Sequence, residues 1–262
     1  IQPIDKLRNE IPEAKVCTPI IGKFSSGKSA LVNTVLGNKR RLLKEDITPE
    51  TAVPAEIVHA FTDKVCVYNV DGTTKDIAFE DYGKFEADAN TVKCVRIQLK
   101  NDFLATVPDV MLVDMPGFES GFAIHNKAID DYLPKSLAYI ITFPADDMIV
   151  RSTIGGILKE LHMNNMPICI VITKFDKHND EFDKSLAHLK DNLKKYVGNE
   201  ELHFCTTSSL TGDAEEVKEF LRGIQLESQT ILANSFKAPV LIILDTTEKY
   251  LNTTLANRQL SD

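Results

Sequence analysis

The chain has 262 residues, 43% hydrophobic and 26% charged, enough to bury one large α/β core or one such domain with a helical appendage. Its net charge of −8 counts against a nucleic-acid binder, whose footprint is a basic face. No apolar run approaches the ~20 residues of a membrane span, and no signal peptide is visible. The five cysteines form no C-x-x-C pair and fall mostly in apolar runs, so they read as reduced, buried thiols of a cytoplasmic protein. The six histidines show no H-E-x-x-H and no Cys/His cluster, which argues against a protein-built zinc site. The chain starts at Ile1 without Met and is read as a fragment or processed form.

In chain order, Ile4–Ile11 reads as a first helix. A strand over Ile20–Gly22 follows, with Pro19 expected to make it irregular or to delay its start, because proline removes a ladder donor. A helix over Lys28–Leu36 is marked by Leu31, Val35 and Leu36 and stopped by Gly37. The locally basic NKRRLLKED (Asn38–Asp46) reads as a solvated helix end and loop. Strands are expected at Glu56–Phe61, Val110–Asp114, Ala138–Phe143, Ile168–Thr173 and Phe204–Thr207. Helices are expected at Ala123–Leu133, Thr153–Met163 and Glu181–Tyr196. Strands alternating with helices imply a mostly parallel sheet covered on both faces. Asp71-Gly72 between alternating segments signals a hairpin, and VKCVRIQL another strand, giving an antiparallel extension at one edge. Beyond Gly212 the chain reads helical, with one stripe at Val217, Phe220, Leu221 and Ile224 and a second from Val240 to Leu255. Pro239 is expected to start or kink a helix. The division expected is 1–14 as an N-terminal helix, 15–224 as the α/β domain and 225–262 as the start of a helical bundle.

Four stretches carry chemistry, each after an apolar strand-like run, where ligands of open α/β folds sit. GKFSSGKS (Gly22–Ser29) fits G-x-x-x-x-G-K-[ST]. Its glycines let successive N–H groups, through Ser25, Ser26, Gly27 and Ala30 at the helix start, point at phosphate. Lys28 reaches the β/γ-phosphates, and Ser29 offers a hydroxyl to Mg²⁺. In DMPG, Asp114 can hold Mg²⁺ through water and the Gly117 N–H can bond the γ-phosphate. In TKFD (Thr173–Asp176), Asp176 can accept from guanine N1–H and its exocyclic amine, and the stem of Lys174 can lie along the base. Adenine lacks that donor pair, so the carboxylate would be left unpaired against it. In TTSSLTG, N–H groups around Ser208, Ser209 and Leu210 can meet guanine O6. Between the first two, DITPETAVPAEIV holds a threonine for Mg²⁺ and γ-phosphate, Thr51 first and Thr48 as its alternative. The acidic pairs Asp146-Asp147 and Asp180–Asp183 read as solvated loop and helix-start acids.

The order GKFSSGKS, DMPG, TKFD, SSL resembles the GTPase fold. IIGKFSSGKSALVNTVLG, TPETAVPAEIV and LVDMPGFESG further resemble the dynamin superfamily, bacterial dynamin-like proteins above all, over about Val16–Gly212. That resemblance implies a P-loop GTPase fold with flanking neck helices, GTP and GDP as ligands with Mg²⁺, and homodimers paired across their nucleotide sites. It also implies self-stimulated turnover and membrane remodelling through a region expected outside these residues. Ser25 matches a serine that helps hold K⁺ or Na⁺ in the family. Phe24 stands where dynamins place a water-positioning Gln, and Phe118 where small switch GTPases place theirs. The water would then be held by the Thr51 carbonyl and the Gly117 region, with Arg40, Arg41 or a partner's side chain as the arginine finger. Two other readings stand beside this one: a GTP-binding switch or scaffold without hydrolysis, motivated by Phe24 and Phe118, and a ribosome- or RNA-associated assembly GTPase, which the acidic charge opposes.

Overall fold

A computed structural model describes residues 2–37, 42–44, 53–117, 128, 130–178, 180–198 and 202–259. Nine strands form one sheet in the order β4-β3-β5-β2-β6-β1-β7-β8-β9. They are β1 (Val16–Ile21), β2 (Ala55–His59), β3 (Lys64–Asn69), β4 (Thr74–Ile77), β5 (Val92–Leu99), β6 (Val110–Asp114), β7 (Tyr139–Pro144), β8 (Ile168–Thr173) and β9 (His203–Thr206). The half from β6 to β9 is parallel throughout. The other half mixes directions: β2 runs antiparallel to β6 and parallel to β5, and β3 pairs antiparallel with both β5 and β4. The β3–β4 hairpin turns through Asp71-Gly72, where Gly72 takes φ +86°, so the expected antiparallel edge is present.

Alternation along the central strands builds a core on each face. Val16 and Ile20 of β1, Ile140 of β7 and Val171 of β8 point to one face. There they meet α2 (Lys28–Val35), α3 (Asp102–Thr106) and the first turns of α6 (Glu215–Gln259). Cys17, Ile21, Ile141 and Ile170 point to the other face, toward α4 (Ser152–Met163) and α5 (Phe182–Val197). In α5, Phe182, Leu186, Leu189 and Leu193 carry the apolar stripe read from the sequence. The remaining helix, α1 (Gln2–Glu13), touches α6.

One expectation is corrected and one of two alternatives at Pro239 is removed. β1 starts at Val16 and runs straight through Pro19, which is paired in register with Val113. The Val16 N–H donates toward β6, to Asp109 O. N–H directions alternate along a strand, so Pro19 faces β7, where pairing begins only at Ile20. The missing donor therefore falls just outside the ladder. Pro239, in turn, lies inside a continuous 45-residue helix rather than at the start of one. Packing of that helix on the sheet core extends through Ile231 and Leu232, two turns beyond residue 224. The expected helix over Ala123–Leu133 lies largely outside the described residues, with residues 130–132 helical.

Candidate functional site

A cavity of about 400 Å³ opens at the carboxyl ends of β1, β6 and β8 and beside the loop after β9, a size that suits a small-molecule site. All four sequence stretches reach it. Ser25, Gly27, Lys28, Ser29 and Ala30 line it from the loop after β1, and Asp114 and Gly117 from the end of β6. Thr173, Lys174 and Asp176 line it after β8, and Ser209 and Leu210 after β9. Phe24, singled out in the sequence, also lines it, as do Thr34, Lys44, Val53 and Lys177, which the sequence reading did not assign.

The loop after β1 is held in a shape few residues adopt. Gly27 sits at φ +84° directly before α2, and Ser25, which has a Cβ, is also left-handed at +59°. Strain of that kind persists only where surroundings enforce it. Here Thr173 Oγ1 donates to Ser26 O at 2.5 Å, and the buried Ser26 hydroxyl shares a 2.7 Å hydrogen bond with Thr142. Ser26 and Gly22 thus sit behind the cavity wall as supports rather than in it. Gly117 is demanded by the same loop: a Cβ there would lie 2.5 Å from Phe24 Cα.

Charge is arranged to need a partner. The Lys28 ammonium is buried and donates to Lys23 O at 2.9 Å and Gly22 O at 3.3 Å. Burial pushes it down to about 8, with Asp114 opposing. Burial likewise pushes the Asp114 carboxyl up, against a hydrogen bond from Ser29 and the charge of Lys28. Ser29 Oγ donates to Asp114 Oδ2 at 2.6 Å, while Asp114 Oδ1 is buried without a hydrogen-bond partner among the described residues. A hydroxyl beside an orphaned carboxylate oxygen is a donor set that fits a hard, oxygen-seeking cation such as Mg²⁺.

At the far end, Asp176 Oδ1 accepts from the Ser208 hydroxyl at 2.6 Å. Phe175 N donates to Thr207 O at 3.1 Å, and Thr207 Oγ1 donates to Asp213 O at 2.6 Å. Ser208 is buried and faces Asp176, so it ties the two loops together instead of lining the cavity. Lys174 holds φ +55°, which turns the chain sharply after β8.

Three supports escaped the sequence reading. Thr142 is one; its signal is a hydroxyl inside the apolar run LAYIITF. Asp147 is another: it is half-buried in an ion pair with Lys23 of the loop and lies 3.7 Å from Arg151, so it is not the solvated acid expected. Asp146, Asp180, Glu181 and Asp183 are exposed. The third is Glu56, buried on β2, with Arg96 at 2.7 Å and Tyr132 donating to it at 2.6 Å. Thr51, Thr48, Phe118, Arg40 and Arg41 lie outside the described residues.

Residues 19–175, more than half of the chain, match the sequence profile of the Dynamin family. An uncharacterized protein in the xynA 3′ region of Caldicellulosiruptor sp. (strain Rt8B.4) is 29% identical over 161 residues, covering 60% of this chain and 39% of that protein. A probable transmembrane GTPase FZO-like, chloroplastic, of Arabidopsis thaliana is 23% identical over 190 residues, covering 69% of this chain and 18% of that one. Two solved chains from an oligomerised bacterial dynamin pair, described as a mechanism for long-range sensing and tethering of membranes, superpose with TM-scores of 0.64 and 0.63. They are 16% and 18% identical, covering 98% and 97% of this chain and 45% and 54% of theirs, which shows a shared fold. The chain thus spans about half or less of the length of each of these relatives. With the profile match over more than half its length, and its motif loops gathered at one cavity, the chain belongs to the dynamin family, as a GTPase domain.

Proposed function

We propose that this domain binds GTP with Mg²⁺ and hydrolyses it, that pairing of two such domains across their nucleotide sites raises turnover, and that the full-length protein couples this cycle to membrane remodelling. One observation carries the reading: a single cavity joins a buried lysine and aspartate and a half-buried serine at one end to a serine-held carboxylate at the other. Backbone N–H groups of the loop and Lys28 would hold the β/γ-phosphates. Mg²⁺, held by Ser29 and by Asp114 through water, would supply neutralisation of phosphate charge. Asp176 would accept both donors of guanine's edge, with Lys174 along the base and the Ser209–Leu210 N–H groups at O6. The attacking water would rest against the Thr51 carbonyl and Gly117, and Ser25 would help to hold K⁺ or Na⁺. Residues 1–14 and those beyond 224 would form the start of a neck bundle. No helix among the described residues is long and apolar enough to cross a membrane, so contact with lipid would be peripheral or through other parts of the protein, from the cytoplasmic side. Membrane coupling draws support from the names of the chloroplast GTPase and the tethering bacterial pair.

The test is GTP hydrolysis per chain over a wide range of protein concentration, with Mg²⁺ and K⁺. The specific rate should climb with concentration, and Lys28→Ala should remove turnover at every concentration. A measurable but flat rate would remove the pairing clause. The second reading, a switch without hydrolysis, is favoured by Phe24, an apolar side chain in the cavity wall; tight GTP binding with no turnover at any concentration would establish it instead.

A further inference from the structure

The fold brings together three residues that the sequence keeps apart. Cys169 on β8 and His203 and Cys205 on the edge strand β9 place their ligand atoms within 4.8 Å of one another. The register explains it. Cys169 is paired with His203, and Cys205 follows two residues later, on the same face. The two sulfurs are 3.3 Å apart. Both cysteines are buried, while His203 is exposed and stacks on Phe220 of α6 at 5.7 Å. No motif could show this, because one ligand comes from a neighbouring strand.

We propose that Cys169, Cys205 and His203 form a metal site for a thiophilic ion of the Zn²⁺ class, with a fourth position open to water beside His203. Two thiols and an imidazole are a soft-to-borderline donor set, which selects Zn²⁺ over Mg²⁺ and separates this site from the oxygen set at Ser29 and Asp114. In a tetrahedral site, sulfurs bound at ~2.3 Å lie about 3.8 Å apart, so the pair here needs only a small outward shift. A disulfide fits worse. Cys205 stands opposite Val171, not Cys169. The two cysteines are therefore a diagonal pair, about 7–8 Å apart at Cα, beyond the span that a disulfide normally bridges.

Binding is a plain exchange with no redox step: two S–H protons leave to water and two metal–sulfur bonds form. The Cys169 thiol is held well above the ordinary range, first by its hydrogen bond with Cys205 and then by burial. A dication between the sulfurs reverses that, because a coordinating thiol is deprotonated outright. The ion would clip the edge strand β9 to β8, three residues before the Ser208 that positions Asp176.

The 262-residue chain, expressed with Zn²⁺ in the medium and kept reduced, is assayed for bound metal, then stripped with a chelator and titrated with Co²⁺ without nucleotide. One Zn²⁺ per chain as isolated is expected, and one Co²⁺ per chain with a sulfur-to-metal charge-transfer band sized for two thiolates. His203→Ala, an exposed position that leaves the core intact, should weaken binding at least tenfold. Cys205→Ser should remove the band, and Cys66→Ser should leave it unchanged. Zn²⁺ should raise the unfolding midpoint of wild type but not of Cys205→Ser. Absence of metal as isolated together with no charge-transfer band would overturn the site. So would a band that survives both His203→Ala and Cys205→Ser.

Discussion

Asp176 and Ser208 show how much a single hydroxyl can decide. Asp176 sits at a cavity wall, and the 2.6 Å hydrogen bond from Ser208 fixes one of its carboxyl oxygens. In Ser208→Ala, that orientation is lost without emptying a core site. Asp176 is exposed, so water screens the interaction and the net contribution is that of an ordinary hydrogen bond, about 1 kcal/mol; GTP affinity should therefore fall roughly fivefold. The folded state should survive, as competition against a fluorescent nucleotide and a melting curve will show together. The meeting of Lys28, Ser29, Asp114 and Asp176 at one cavity was legible in the sequence, because each follows an apolar strand-like run and strand ends gather ligand loops. The side-chain bonds that support them were not. Thr142, Asp147 and Ser208 act on partners 116, 124 and 32 residues away, and only the strand order brings those pairs together.

Among elements, the polar clamp between sheet and long helix is Asp109, the residue just before β6. Its carboxylate accepts from Gln225 Nε2 at 2.8 Å and Ser228 Oγ at 3.0 Å, and its N–H donates to Gln225 Oε1 at 2.8 Å. Those hydrogen bonds, Gln225 first, hold the carboxyl below its ordinary value. A depressed carboxyl stabilises the fold above its unfolded value and loses that contribution as pH falls through the folded one. Wild type should therefore lose stability on acidification below about pH 4 more steeply than Asp109→Asn. Gln225→Ala should lower the unfolding midpoint by several degrees at pH 7; equal melting curves would mean the clamp bears no load. The parallel strands, the β3–β4 hairpin and α5 could be read from β-branched runs, Asp71-Gly72 and a 3.6-residue stripe. β1 was misread at Pro19, because a strand proline's cost depends on whether its missing N–H would have faced a paired neighbour, which sequence does not say.

Across the whole molecule, the two ends of the cavity hang on one sheet, and a buried network ties its halves. Glu56 on β2 stands just after residues 45–52, which include Thr51. Tyr132 stands just after residues 118–127, which follow DMPG. The Tyr132 hydroxyl donates to Glu56, whose other oxygen is held by Arg96. Tyr132→Phe leaves a buried carboxylate oxygen unpaired and should cost about 1–3 kcal/mol, read by denaturant unfolding; a loss below about 0.5 kcal/mol would show the network to be incidental. Further out, Val240, Leu244, Leu251 and Leu255 of the second stripe read from the sequence are exposed on α6.

The central claim is that Asp176 reads guanine inside a GTP-hydrolysing cavity, and Asp176→Asn assayed with GTP and with xanthosine triphosphate tests it most directly. An amide offers a donor where the carboxylate accepted, and xanthine offers an acceptor where guanine donates, so the pairing is restored on the other base. GTP turnover should fall by at least tenfold and xanthosine triphosphate turnover should rise to take its place. An undiminished preference for GTP would mean that the TKFD loop does not read the base, and the assignment of this cavity would fail with it.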